Sequence, residues 1–317
     1  MDQVLSEEVA IPEGVTPEIT FADLPLSPPV LQALADLGYL TPTPVQAAVV
    51  PLALSGLDLI VQAQTGTGKT AAFALPVLHR LTAGPRKVPR ALILAPTREL
   101  AEQIHEAVAA MGRETSLTSV AVYGGVSKTP QLQSLRRGVE IVVACPGRLL
   151  DLADQGAVRF SDLEVLVIDE ADRMLDMGFL PDIRRIVKKL PAKRQTLLFS
   201  ATMPKDIQEL AKAILHEPAI VRVGDGAPAS TVSHSVYPVE QHLKTPLLMK
   251  LIEQTDTESV LVFARTKHRT TSVAAKMKRA GFAVASLQGD LSQNRRQAAI
   301  DGFRSGKYRI LVATDIA

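Results

Sequence analysis

The sequence predicts an α/β protein built on parallel β-sheet, with two domains in its 317 residues. Short apolar segments of strand length alternate with segments of helical periodicity, which is the pattern of βαβ units. A glycine-rich loop follows one predicted strand, and a tetrad with three carboxylates follows another. In parallel sheets, ligands bind at the carboxyl ends of the strands, so both features lie where a ligand site is expected.

The predicted elements divide the chain into a lead at 1–20, a first domain at 21–223, a linker at 224–233 and an incomplete second domain at 234–317. Strands of the first domain are predicted at 59–61, 91–95, 120–123, 141–144, 165–168, 196–199 and 220–223. Helical patterns lie between them at 99–111, 146–155, 183–190 and 206–214. The linker begins with Gly, Asp, Gly, Ala, Pro, Ala and Ser. Strands of the second domain are predicted at 234–239, 260–264, 283–287 and 309–313.

The lead carries several glutamates, and we expect it to be acidic and flexible. Lys69 is the one Lys or Arg before residue 80, so the start of the chain does not resemble a secretory signal. No run of eighteen apolar residues occurs, and we expect no membrane partner. The single cysteine, Cys145, excludes internal disulfides and indicates a reducing, cytoplasmic location. A formal net charge of +2 means that any surface for nucleic acid must be local.

The glycine-rich loop lies between a predicted strand and a helical run, which is the order of a phosphate-binding loop. Its backbone N–H groups would wrap a phosphate, Lys69 would reach the β and γ phosphates, and the Thr70 hydroxyl would ligate Mg²⁺. Ala63 stands where the pattern has glycine, and a chance Gly/Thr-rich turn is the alternative. The predicted loop residues are Ala63, Gln64, Thr65, Gly66, Thr67, Gly68, Lys69 and Thr70.

The acidic tetrad Asp169-Glu170-Ala171-Asp172 directly follows the strand at 165–168 and predicts a Walker B site. Mg²⁺ prefers one or two carboxylates together with water and phosphate oxygens. Asp169 is expected to hold Mg²⁺ partly through water, and Glu170 to orient and deprotonate the attacking water. Asp172 is expected to hydrogen-bond to Ser200 and Thr202. A helix-start carboxylate for Asp172, or an N-cap or turn for the whole tetrad, is the alternative.

In their order, the motifs resemble those of the DEAD-box RNA helicases of superfamily 2 over about residues 21–317. The acidic tetrad spells the family name, and 38–46 with Phe21 upstream is similar to the adenine-reading Q motif. Residues 95–100, 124–125 and 145–148 resemble RNA-contacting motifs, although Cys145 stands where Thr is usual. Residues 200–202 resemble the motif that couples hydrolysis to strand separation. In the second domain, 261–266, 288–290, Gln293 with Arg296, and 313–315 match further motifs.

The resemblance implies two RecA-like domains that close on ATP and single-stranded RNA, and hence an RNA-stimulated ATP hydrolase that unwinds short duplexes or remodels RNA–protein complexes. The implied partners are ATP, with Mg²⁺ as cofactor, and RNA bound without sequence preference. Gln46 and Phe21 would bind adenine, unless they only cap a helix and anchor a loop. The implied RNA contacts are Pro96, Thr97, Arg98, Gly124, Gly125, Pro146, Gly147, Arg148, Arg265, Thr266, Gly289, Asp290 and Thr314. Helix and turn roles for Arg98 and for the 124–125 pair are the alternatives.

The family's last motif supplies arginines to the γ-phosphate, and the sequence contains no counterpart of it. An arginine finger is worth roughly 10³ to 10⁵ in rate, so we expect a piece of a longer helicase with low turnover of its own. Two other functions stay open at this point. One is a nucleotide-dependent RNA clamp without turnover, and the other is a RecA-like motor that acts on DNA.

Overall fold

The structure, a computed structural model, describes residues 8–11, 19–224 and 232–314. The chain divides into two compact units, Met1–Pro228 and Ala229–Ala317. Each unit carries a parallel β-sheet with helices in its crossover connections, which confirms the predicted α/β fold class. Among the described helices, none has the combination of length and apolar character needed to cross a bilayer.

The sheet of the first unit has eight strands, and every recorded strand pair is parallel. The strands are β1 (Glu8–Ile11), β2 (Leu59–Gln62), β3 (Ala91–Leu94), β4 (Ser119–Val122), β5 (Ile141–Ala144), β6 (Val165–Ile168), β7 (Gln195–Ser200) and β8 (Ala219–Val223). Their order across the sheet is β1-β8-β2-β7-β6-β3-β5-β4. The strands β2, β7 and β6 are therefore neighbours, and so are β3, β5 and β4.

Helices cover both faces of this sheet. They are α1 (Pro28–Asp36), α2 (Pro44–Leu54), α3 (Lys69–Leu81), α4 (Arg98–Met111), α5 (Lys128–Arg137), α6 (Pro146–Asp154), α7 (Ala171–Asp176), α8 (Leu180–Val187) and α9 (Lys205–Ile214), with a 3-10 turn at Phe21–Asp23. Successive strand residues belong to two separate cores: Ile93 packs with α2, α3 and α4, while Leu92 packs with α6, α8 and α9. Burial on both faces explains why the strands read as continuous apolar runs.

Two buried carboxylates tie the amino ends of the strands together. Asp58 accepts hydrogen bonds at 2.7 Å from the backbone N–H groups of Thr196 and His216. Glu140, only 2% exposed, accepts from the N–H groups of Lys87 at 2.6 Å and Thr118 at 2.8 Å. Burial raises the pKa of Glu140, but these hydrogen bonds outweigh burial and leave the pKa below its ordinary value.

The second unit has a three-stranded parallel sheet in the order β10-β11-β9, with β9 (Val260–Phe263), β10 (Val284–Leu287) and β11 (Ile310–Ala313). Its helices are α10 (Lys244–Gln254), α11 (Lys267–Arg279) and α12 (Gln293–Arg304). Its cores are small, and the larger one centres on Met277, Ile310 and Val312. Leu261 and Phe263 point away from this core and are 49% and 63% exposed. One face of β9 is thus left without a described apolar layer.

Two predictions of local structure are wrong. The strand predicted at 234–239 is irregular in the structure, where Val236 is 89% exposed. Pro238 has no N–H to donate to a sheet, which disfavours strand pairing there. Of the predicted flexible lead at 1–20, Glu8–Ile11 forms the edge strand β1, parallel to β8, while 1–7 and 12–18 lie outside the described residues. Val and Ile at alternate positions of this segment favour a strand, whereas the prediction followed the acidic residues alone. Most of the predicted linker, 225–231, lies outside the described residues.

Candidate functional site

The glycine-rich loop leaves the carboxyl end of β2, between β8 and β7, and leads into α3. Gly66 and Gly68 have φ values of 88° and 94°, in the left-handed region that favours glycine. A Cβ at Gly68 would lie 2.5 Å from the Gln46 amide nitrogen, so close packing also requires glycine there. Lys69 Nζ turns back to donate to the Ala63 carbonyl at 3.0 Å. The loop thus presents the amino end of α3, where an anion binds favourably.

A pocket brings this loop together with the acidic tetrad. The β2-β7-β6 order of the sheet places the carboxyl end of β7 between the loop and the tetrad. The residues that line the pocket are Thr65, Lys69, Glu170, Asp172, Arg173, Asp176 and Ala201. A cation and backbone amides therefore face carboxylates across one cavity, which suits a ligand that carries both phosphates and a metal ion.

Asp169 is the buried carboxylate of this site, at 3% exposure. Burial raises the pKa of Asp169 to about 6, although the positive charge of Lys69 opposes the shift. One carboxylate oxygen accepts from the N–H of Glu170 at 2.9 Å. Glu170 itself adopts φ 49°, a left-handed conformation that is uncommon outside glycine and is often found at functional sites. Its carboxylate lies 3.4 Å from an Arg173 nitrogen.

Asp172 makes the hydrogen bonds that the sequence predicts toward the end of β7. Its Oδ2 accepts from both the N–H and the hydroxyl of Thr202 at 2.8 Å, and its own N–H donates to the Ser200 hydroxyl at 3.1 Å. The Ser200 hydroxyl in turn donates to the Thr202 carbonyl at 2.7 Å. Burial raises the pKa of Asp172, but the bonds from Thr202 and Ser200 leave it below its ordinary value. The tetrad is thereby linked directly to the segment after β7.

The donor atoms suit a magnesium ion that arrives with a nucleotide. The described residues contain no group of three or more His, Cys, Asp or Glu side chains that would hold a metal alone. Asp169, after β6, and Thr70, in the first turn of α3, would supply one carboxylate and one hydroxyl. Mg²⁺ commonly takes one or two such ligands and completes its octahedron with water and phosphate oxygens.

The two predicted adenine contacts are both buried in this structure. Gln46 is 3% exposed; its Oε1 accepts from Thr43 N at 2.8 Å, and its Nε2 donates to the Gly68 carbonyl at 3.0 Å. Gln46 therefore caps the start of α2, as the alternative to adenine binding predicts. Its amide nitrogen also binds the glycine-rich loop. Phe21 is 3% exposed and contacts the ring of Tyr39 edge-on, with ring centroids 6.1 Å apart. Adenine binding by both residues stays a prediction.

The predicted RNA contacts of the first unit gather at the carboxyl ends of β3, β5 and β4, which are neighbours in the sheet. They are Pro96, Thr97 and Arg98 after β3, Pro146, Gly147 and Arg148 after β5, and Gly124 and Gly125 after β4. Both arginines bind loop carbonyls: Arg98 Nη1 donates to Gly124 O at 3.4 Å, and Arg148 Nη2 donates to Val126 O at 3.3 Å. Cys145 is half-buried before α6, and burial raises its pKa to about 12, so it is a poor nucleophile.

The predicted RNA contacts of the second unit lie at the carboxyl ends of its three strands. They are Arg265 and Thr266 after β9, Gly289 and Asp290 after β10, and Thr314 after β11. The Thr266 hydroxyl caps α11 by accepting from Arg269 N at 3.2 Å. Asp290 pairs with Lys267 at 2.6 Å, and Thr314 N donates to the Leu287 carbonyl at 3.3 Å. The structure thus brings these five residues to one edge of the small sheet.

Three residues at these sites were missed by sequence reasoning. Arg173 and Asp176 line the pocket between the glycine-rich loop and the acidic tetrad, and Gln131 binds the loop after β4. Arg173 follows Glu170 by three residues, and this helical spacing was a signal that could have identified it. Gln131 carries no such signal, because only the packing of α5 shows that it is buried.

A phosphate loop, an acidic tetrad and a RecA-like parallel sheet define a nucleotide-binding protein of the P-loop class. A family model described as DEAD/DEAH box helicase matches residues 43–210, and one described as helicase conserved C-terminal domain matches 243–317. Together with the relatives below, these matches show that the chain belongs to the DEAD-box RNA helicase family of superfamily 2.

Curated relatives are similar over nearly the whole chain. RNA helicase CrhR of Synechocystis is 45% identical over 94% of this chain and 61% of its own length. ATP-dependent RNA helicase DeaD of Escherichia coli K12 is 43% identical over 95% of this chain and 48% of its own length. RhlB of Pseudomonas aeruginosa is 44% identical over 94% of this chain and 77% of its own length. The chain therefore spans about half to three quarters of the relatives it matches.

Solved structures show the same fold. Dbp5 of S. cerevisiae bound to RNA and ADP BeF3 has a TM-score of 0.85 and 31% identity, over 94% of this chain and 76% of that one. A DEAD box protein from Methanococcus jannaschii has a TM-score of 0.62 and 34% identity, over 93% and 80%. These similarities confirm the RecA-like character of the predicted fold.

Proposed function

We propose that the protein is an ATP-dependent RNA helicase, in which binding and hydrolysis of Mg-ATP drive local separation of RNA strands or remodelling of RNA–protein complexes. The observation that carries the proposal is the hydrogen-bonded link from Asp172 to Thr202 and Ser200. It joins the tetrad to the segment after β7, so a change at a bound nucleotide would alter the contacts of a neighbouring loop. A pocket that only stored nucleotide would not need this link.

The nucleotide phosphates would bind between the glycine-rich loop and the tetrad. Lys69 would exchange its bond to the Ala63 carbonyl for phosphate oxygens, since its ammonium group already lies in the pocket. Asp169 and Thr70 would hold Mg²⁺, which when bound neutralises phosphate charge. Glu170 would orient the attacking water and take its proton. The Lys69 and Asp169 side chains are each held by a backbone contact, which favours preorganised catalysis.

RNA would bind at the carboxyl ends of β3, β5 and β4, and at the corresponding edge of the second sheet. The groups exposed there are loop backbone, small polar side chains and arginines, which suit phosphates and sugars and leave bases unread. Contact with 2′-hydroxyls would give a preference for RNA over DNA. The RNA bound to Dbp5, whose structure is similar, supports this choice of ligand.

ATP must discriminate between two conformations for hydrolysis to act as a switch. Moving a population from 1:99 to 99:1 requires a differential binding free energy of about 5.5 kcal/mol. Each of the two parallel sheets has its candidate RNA loops at its carboxyl edge, which gives two separate binding surfaces. Binding of RNA to both surfaces would favour one conformation.

The test is ATP hydrolysis by the 317-residue chain, with and without single-stranded RNA, together with unwinding of a short RNA duplex. Hydrolysis of low turnover that RNA stimulates, and ATP-dependent strand separation, are expected. RNA binding that requires nucleotide but is not accompanied by stimulated hydrolysis would replace the helicase with a nucleotide-dependent clamp. Equal competition by single-stranded DNA at matched salt would contradict the RNA assignment.

A further inference from the structure

Three side chains donate hydrogen bonds to the carbonyl oxygens of the loop after β4. Gln131 Nε2 donates to Tyr123 O at 3.1 Å, and Arg98 Nη1 to Gly124 O at 3.4 Å. Arg148 donates to Val126 O through both terminal nitrogens, at 3.4 and 3.3 Å. Three carbonyls within four consecutive residues are therefore turned toward α4, α5 and α6.

This arrangement fixes the direction of the loop N–H groups. In a trans peptide the C=O of one residue and the N–H of the next point in opposite directions. Because the carbonyls of residues 123, 124 and 126 are directed inward, the N–H groups of Gly124, Gly125 and Ser127 are directed away from the three side chains. Gly124 and Gly125 are exposed, and a Cβ at Gly124 would meet no atom within 4 Å. The exposed side of the loop is thus a row of backbone donors, which suits phosphate oxygens.

Gln131 is the buried residue among the three whose side chains bind the loop. It is 6% exposed and is the one fully buried residue of α5, a helix that the structure describes throughout. A buried amide is costly unless its polar atoms are paired, and here both ends are used. While Nε2 binds the loop, Oε1 accepts from Arg148 Nη1 at 3.4 Å. Gln131 therefore connects the loop after β4 to the arginine after β5.

We propose that Gln131 is a positioning residue for the phosphodiester backbone of single-stranded RNA. It acts, together with Arg98 and Arg148, by holding the loop carbonyls inward, so that the N–H groups of Gly124, Gly125 and Ser127 face the strand. Gln131 itself does not touch the RNA. The inference rests on the proposed function, since it assumes that this surface binds RNA, but it assigns a role to a residue outside the motifs that suggested that function.

The first experiment compares Gln131→Met with Gln133→Met. Methionine keeps the length and burial of the side chain while losing both hydrogen bonds. Gln133 lies two residues further on the same helix and is exposed, so it is a matched control. Binding of a fluorescent oligouridylate of about ten nucleotides is measured with a saturating, non-hydrolysable ATP analogue at several salt concentrations.

The expected result for Gln131→Met is an RNA Kd raised about tenfold, with a salt slope reduced by about 1. The Kd for the ATP analogue without RNA should stay unchanged, and Gln133→Met should match the wild type in every measurement. A general loss of structure would weaken nucleotide and RNA binding together. Wild-type RNA affinity and salt slope in Gln131→Met would overturn the role of Gln131 and leave the proposed function intact. No RNA binding by the wild type would overturn both.

A second measurement needs no variant and applies even if Gln131→Met fails to fold. Amide hydrogen exchange of the wild-type chain is followed with and without the same oligouridylate and nucleotide. Slower exchange at the N–H groups of Gly125 and Ser127 is expected on RNA binding, because these donors face the phosphates. Bound RNA that leaves exchange at these two amides unchanged would contradict the inferred direction of the loop.

Discussion

Glu170 occupies a backbone conformation that few residues other than glycine adopt. Its φ of 49° and ψ of 53° place it at the start of α7, immediately after the buried Asp169. Such a conformation costs of order 1 kcal/mol or more, and it persists only where the surroundings enforce it. The result is that the carboxylate lines the nucleotide pocket together with Lys69. Local strain and the proposed chemistry therefore coincide at Glu170.

Replacing Glu170 tests this role directly. Glu170→Gln keeps the shape of the side chain but removes the base, so ATP hydrolysis should fall about 10² to 10³-fold while the Kd for Mg-ATP changes little. Single-turnover hydrolysis and titration with a fluorescent nucleotide separate the two effects. Glu209→Gln, an exposed position on α9, is the control and should behave as the wild type. Loss of binding in step with hydrolysis would show that Glu170 only holds the site together.

Thr202 offers a test of the link between the tetrad and the segment after β7. Thr202→Val removes the hydroxyl that donates to Asp172 but keeps the side-chain shape and the backbone bond. ATP hydrolysis should stay within about threefold of the wild type, while RNA strand separation should fall about tenfold. Thr202→Ser restores the hydroxyl and should restore unwinding. Equal losses in both activities for Thr202→Val would argue against a coupling role.

Glu140 joins several elements of the first unit at the amino ends of the strands. The carboxylate binds the N–H groups of Lys87 and Thr118, and so connects the loop before β3 with β4 and β5. Because its pKa is lower in the folded chain, the ionised form stabilises the fold above the ordinary value of 4.5. This stabilisation is lost as the pH falls through the lowered folded pKa.

Glu140→Gln should lower the free energy of unfolding at neutral pH by about 1 to 3 kcal/mol, since an amide cannot accept all of these bonds. Its stability should also fall less steeply than that of the wild type as the pH falls below 4.5, the ordinary pKa of this carboxyl group. Urea unfolding at several pH values measures both effects. Glu106→Gln, at an exposed position of α4, should retain the wild-type stability and acid dependence. An acid slope of wild-type steepness in Glu140→Gln would contradict the assignment.

The two units of the chain differ in the size of their cores. The first has an eight-stranded sheet covered on both faces, and the second has a three-stranded sheet whose exposed residues include Phe263 at 63%. Smaller cores bury less apolar surface and support less stability. A ligand that binds only the folded first unit stabilises that unit by mass action. It should shift the unfolding of the first unit alone.

Mg-ATP analogue at about 100 times its Kd should stabilise the first unit by about 2.7 kcal/mol. For a unit of this size the midpoint of thermal unfolding should rise by about 5 to 10 °C. Differential scanning calorimetry measures the shift, and EDTA should abolish the part that depends on Mg²⁺. Lys69→Met should lose most of it, because the phosphates lose their main cationic partner, whereas the exposed Lys205→Met should not. An equal shift in Lys69→Met would place the nucleotide elsewhere.

Most strands and helices could be predicted because their signals are local. Apolar runs such as 141–144 and 165–168 have strand length and are bounded by turns, and the structure places β5 and β6 there. The failures occurred where pairing is decided by a distant partner. The 234–239 segment resembles a strand but is irregular in the structure, while Glu8–Ile11 lies among acidic residues but pairs with β8. Strand pairing is a long-range property, and local composition does not report it.

The fold class, the glycine-rich loop, the acidic tetrad and the family could be inferred from the sequence, because each depends on residue types at fixed spacing along the chain. That β2, β7 and β6 are neighbours, which brings Lys69, Glu170 and Thr202 to one region, is known only from the folded chain. The same holds for the burial of Gln46 and Gln131 with both ends of their amides bonded. Burial and hydrogen-bond pairing arise from contacts between residues far apart in the chain, so no pattern within a short segment encodes them.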